Sequence, residues 1–87
     1  MTELTPVPEG YEWPGKQYYL GSHDREYYFE FLNEDKKAIA YVDKIKGKNE
    51  YVVVKRHMDS NEEDLATLST LEEAKHYCHM LVLTGVI

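Results

Sequence analysis

Two stretches of this chain alternate from one side to the other, a third is a short apolar run, and a fourth repeats at a longer interval. Residues 27–32 place Tyr27, Phe29 and Phe31 on one side and Tyr28, Glu30 and Leu32 on the other, which is the period of a strand. Residues 38–45 read the same way, with Ile39, Tyr41 and Ile45 on one side. Residues 51–56 contain three consecutive valines, which suit a pleated and largely covered position. From Leu71 the period changes: Leu71, Ala74, Cys78 and Leu81 fall on one face of a helix, flanked by Tyr77 and Val82. Thr70 and Glu73 have the spacing of a capping box at its start, and Gly85 is placed for a left-handed stop, with Val86 or Ile87 folding back on the last turn.

The segments between these elements are short and polar. Residues 33–37 and the Gly47 loop of residues 46–49 predict tight connections, so an antiparallel meander is the economical topology. Residues 17–20 are a weaker strand candidate. Residues 57–64 read as an acidic loop, and residues 65–68 as a short extended piece before the helix. The expected fold is α+β: a three- to four-stranded antiparallel meander covered on one face by one C-terminal helix, a βββα sandwich. Residues 1–15, with Pro6, Pro8, Gly10, Pro14 and Gly15, predict an irregular arm ahead of a single domain at residues 16–87. Trp13 is expected to pin that arm over one edge of the core, or to serve as a binding anchor. The last helical turn is apolar all round through Met80, Leu81, Val82 and Leu83. That predicts a cover from the arm or from a second copy, hence a monomer or a weak homodimer.

Composition changes this picture in one respect. An apolar fraction of 43% in 87 residues supports one modest core, but eight of the eleven aromatics are tyrosine, which suits a half-wet sheet face or an interface. The net charge of −6 opposes general binding to nucleic acid. The charge is unevenly spread. Residues 36–56 carry seven cations (Lys36, Lys37, Lys44, Lys46, Lys48, Lys55, Arg56) against two anions, net +5, which leaves −11 on the remainder. A charged-then-apolar leader and an apolar run of about 18 residues are both missing, so a cytoplasmic protein with no membrane partner is expected.

Candidate chemistry is sparse. Glu72, His76 and His79 project to a similar side of the helix, but a fourth metal ligand is not fixed, and a solvated helix face is expected. Asp59, Asn61, Glu63 and Asp64 resemble a calcium loop in composition without its central glycine or terminal glutamate. His23 and His57 have acidic neighbours but accompany no nucleophile motif, and the five glycines form no phosphate cradle. Cys78, alone, lies on the apolar face as a small hydrophobe. The reading is therefore non-enzymatic, with no catalytic, cofactor or metal residues.

The run Leu68-Ser69-Thr70-Leu71-Glu72-Glu73-Ala74-Lys75, following the strands of residues 38–56, resembles the strands-then-helix ending of small phage and prophage accessory proteins. Some of those inhibit host defence or host nucleic-acid enzymes. The resemblance implies a phage-encoded inhibitor, working in the host cytoplasm, with a larger host protein as partner. Its acidic, tyrosine-rich surface would block a basic, nucleic-acid-binding site, with carboxylates standing where phosphates otherwise sit. Expected contacts are Trp13, Tyr18, Tyr28, Glu30, Asp59, Glu62, Glu63 and Asp64. The alternative is a small nucleic-acid-binding domain that uses the basic hairpin of residues 36–56.

Overall fold

The computed structural model describes residues 5–21, 23–59 and 61–87. Five strands and one helix follow in chain order: β1 Gln17–Tyr19, β2 Arg25–Leu32, β3 Ala38–Ile45, β4 Tyr51–Arg56, β5 Glu62–Leu68 and α1 Leu71–Leu83. The sheet order is β1-β2-β3-β4-β5, antiparallel throughout. The α+β class, the meander and the C-terminal helix stand as expected, but there are five strands rather than three or four. The extra one is β5, which absorbs Glu62, Glu63 and Asp64 from the predicted acidic loop. Acidic residues are poor strand formers alone. Here Glu62 lies across from Arg56 and Glu63 across from Lys55, but Arg56 donates to the Tyr41 hydroxyl and Lys55 to the Val86 carbonyl, so β5 is held by its backbone pairing with β4 and by Leu65 and Leu68, which pack against the core.

One face of the sheet carries the core. Phe31, Ala40 and Val53 are fully buried there, as is Val42, and the helix adds Ala74 and Cys78. Thr70 caps the helix, its hydroxyl accepting the Glu73 N–H at 3.1 Å. At the other end Gly85 adopts φ 79°. The Val86 N–H reaches the Leu81 carbonyl at 2.9 Å and the Gly85 N–H reaches that of Val82 at 3.1 Å. This is the Schellman arrangement that a glycine after the last turn permits.

Two bulges decide which side chains face which way. In β5 the register shifts between the pairs Val53–Ala66 and Val54–Asp64, leaving Leu65 without a partner. Simple alternation from the core-facing Ala66 and Leu68 would turn Asp64 and Glu62 toward the helix; the extra residue sends them to the other face. In β2 the shift between Arg25 and Tyr27 does the same for Arg25, which would otherwise share the helix side with Tyr27.

The N-terminal segment closes the open end of the core. Glu12 and Leu32 exchange backbone hydrogen bonds of 3.0 and 2.9 Å, and the Trp13 ring stacks on Phe31 with centroids 4.5 Å apart. The Trp13 indole N–H donates to His79 Nε2 at 2.8 Å, and His79 Nδ1 lies 2.8 Å from the Thr5 carbonyl. An indole only donates and a carbonyl only accepts, so His79 is neutral with its proton on Nδ1. Thr5 N–H donates in turn to His76 Nδ1 at 2.7 Å. The solvated histidine face expected from the sequence is thus wrong for His79, which is 4% exposed and ties the arm to the helix. The arm crosses the helix at His76 to Met80, so it reaches only the start of the last turn, and Leu83 and Val86 stay exposed.

Candidate protein-binding face

Among the described residues, no helix lies over the face of the sheet away from α1. Directly paired residues share a face, so the register assigns its side chains in rows. Tyr18, Tyr28, Asp43 and Val52 form one row across β1 to β4; Glu30, Tyr41, Val54 and Asp64 form the next across β2 to β5. Tyr18 stacks on Tyr28 with centroids 5.0 Å apart, and Tyr41 meets Tyr28 edge to face at 5.4 Å. Three tyrosines from three strands therefore make one continuous aromatic surface, with Val52 and Val54 buried in the sheet beside it.

Charges frame that surface. Arg25, delivered by the β2 bulge, donates to Asp43 Oδ2 and to Asp64 Oδ2, each at 3.0 Å, and its Nε lies 3.5 Å from Asp24. Arg56 donates to the Tyr41 hydroxyl at 3.1 Å. Burial pushes the Asp43 carboxyl up to about 6; Arg25 pulls against this, and Glu62 and Asp64 add to it. Burial alone would lower the Arg25 pKa, but the hydrogen bonds and charges of Asp64 and Asp43 outweigh it and the net movement is upward. The Tyr18 phenol is raised by its hydrogen bond to Glu30, and that of Tyr28 by burial. A hollow of about 180 Å³ lies in this face, lined by Leu20, Tyr28, Tyr41, Asp43 and Glu62.

Five of the eight expected contact residues come together here: Tyr18, Tyr28, Glu30, Glu62 and Asp64. The other three do not. Glu63 turns away and sits 3.0 Å from His57 Nε2. Asp59 occupies the β4–β5 turn, where it accepts the Asn61 N–H at 3.1 Å. Trp13 is committed to Phe31 and His79, where it pins the arm to the core. Tyr41, Asp43, Arg25 and Leu20 belong to the face but were not anticipated. The alternation of β3 separates Tyr41 and Asp43 from Ala40 and Val42. Knowing that the small residues face the helix would have found both.

The basic segment does not form one patch. Lys36 and Lys37 lie in the β2–β3 turn and Lys46 and Lys48 in the β3–β4 turn, at opposite ends of β3. Eight residues of strand separate the two turns by roughly 26 Å. Lys36 is also paired with Glu12, and Lys44 sits 3.6 Å from Glu26. Among the described residues, no group of three or more histidine, cysteine, aspartate or glutamate side chains is arranged to hold a metal ion. The described helix is not long and apolar enough to cross a membrane. No family model, curated protein or solved structure matches the chain.

Proposed function

We propose that the protein is a binding module whose uncovered sheet face docks on a basic surface of a larger protein. The observation that carries this reading is the continuous Tyr18–Tyr28–Tyr41 surface framed by Glu30, Asp43, Glu62 and Asp64. Rings held by a sheet are anchors that lose little freedom on binding, and the surrounding carboxylates raise the encounter rate with a cationic partner. Such a partner site commonly binds nucleic acid, so the protein would act as its competitive inhibitor. That agrees with the accessory-protein resemblance of the C-terminal half. The divided basic segment and the net charge of −6 argue against direct binding to nucleic acid.

Amide-resolved NMR titration tests the reading. A ten-residue peptide of alternating arginine and glycine should shift resonances on β1, β2, β3 and β5 around Tyr18, Tyr28, Tyr41 and Glu62, and the double variant E30K/E62K should abolish the response. A twenty-base-pair DNA duplex should shift nothing. Perturbation of the two lysine turns by the duplex, or no response to the peptide at low salt, would overturn it.

A further inference from the structure

We propose that the hollow between Tyr28, Tyr41, Asp43 and Glu62 is a receptor for one arginine side chain of the docked partner. This rests on the reading of the face given above and specifies what its centre recognises. Size is the first argument. Small-molecule sites run from about 300 Å³ upward, so a hollow of about 180 Å³ holds a side chain rather than a cofactor.

The second argument is the chemistry of the walls. Tyr28 and Tyr41 stand at 88° to each other, so the hollow offers aromatic surface to a flat cation beside carboxylates that accept its N–H groups. Asp43 is already engaged by Arg25 through Oδ2. Glu62 is exposed and its carboxylate makes no hydrogen bond or ion pair among the described residues, so it is the acceptor still available at the rim. The molecule itself provides the precedent. Arg25 is held between two carboxylates and Arg56 rests on the Tyr41 hydroxyl, so this face already binds guanidinium groups of its own.

A third property gives the pocket a signature. Asp43 faces Arg25 and Tyr28 from β2 and Glu62 and Asp64 from β5, with Asp24 on the far side of Arg25, and its carboxyl titrates near 6. An added guanidinium favours the ionised form, so binding expels a proton and tightens as the pH rises from 5 to 7.

The experiment compares three peptides, acetyl-Gly-Gly-X-Gly-Gly-amide with X as arginine, lysine or citrulline, by NMR titration of the full chain. Citrulline keeps the shape of arginine and removes the charge. Arginine should shift Tyr28, Tyr41, Asp43 and Glu62, bind at least tenfold more tightly than citrulline, and bind more tightly at pH 7 than at pH 5. E62Q should weaken it severalfold, and Y41L should do the same, with unchanged amide spectra elsewhere certifying the fold. Equal binding of arginine and citrulline, preference for lysine, or insensitivity to E62Q would each overturn the pocket. If the ten-residue peptide still binds the face while the arginine pentapeptide ignores the hollow, the pocket fails and the docking face stands. If neither binds, both fail.

Discussion

His79 is the residue on which the arm depends. Both of its ring nitrogens are committed, one accepting from Trp13 and one donating to Thr5, and only the neutral ring satisfies both. Burial lowers its pKa, opposed by the Thr5 carbonyl and helped by His76 and Lys75. A depressed histidine contributes stability that is present above the unfolded value near 6.5 and is lost as the pH falls through the folded one. Asp43 acts oppositely: its raised carboxyl contributes stability below 3.8 that is lost as the pH rises through about 6. The two partly cancel in the native protein. Urea midpoints should therefore climb more on acidification from pH 7.5 to 5 in H79Q than in the native protein, because the opposing His79 slope is gone. Matching pH profiles for the two proteins would refute the assignment of His79 as a ring held neutral by burial. Trp13→Phe should cost about 1–3 kcal/mol by stranding the His79 acceptor. Trp13 was expected to pin the arm over the core, but the part that His79 plays was not legible in the sequence, where it carries the spacing of a polar face. Its two partners lie 66 and 74 residues away, and helical periodicity cannot see them.

At the scale of elements, the sequence was read most accurately where one local rule dominates. Thr70, the Leu71-to-Leu81 stripe and Gly85 define the helix without outside help, and the structure places all of them as expected. Thr70→Ala should cost about 1 kcal/mol in denaturant unfolding. Strand β5 was missed because its acidic first half runs against strand propensity, and the pairing with β4 that supports it does not show in the local sequence. Its bulge was missed because no residue type announces one. That bulge matters more to the candidate site than any single contact, since it turns Glu62 and Asp64 to the open face. Deleting Leu65 removes the residue that the bulge inserts, so Asp64 then directly precedes the core-facing Ala66 and plain alternation keeps both carboxylates on the open face. The prediction is that the Arg25–Asp64 pair and arginine-peptide binding both survive the deletion, read by NMR. Loss of both would show that the register of β5 against β4 does not set the face.

For the whole molecule, the core is small and the arm is part of it. Phe31 is buried between the sheet and the rings of Tyr11 and Trp13, so Phe31→Ala should cost about 3–5 kcal/mol. A chain of this size has on the order of 5 kcal/mol in total, so that variant should be largely unfolded at room temperature by circular dichroism. Removal of residues 1–14 should lower the urea midpoint and expose Phe31 to hydrophobic dyes. The sheet has a further consequence, for speed. Every strand pairs with its neighbour in the chain, so the ladder is assembled from hairpins whose loops are short to close. Among the described residues, the contacts of Thr5 and Trp13 with the helix are the ones that bridge most of the chain. The barrier to folding should thus be crossed with the meander formed and the arm still loose. In stopped-flow experiments Trp13→Phe should then quicken unfolding and leave the refolding rate nearly unchanged, making the arm a latch that sets how long the native state lasts.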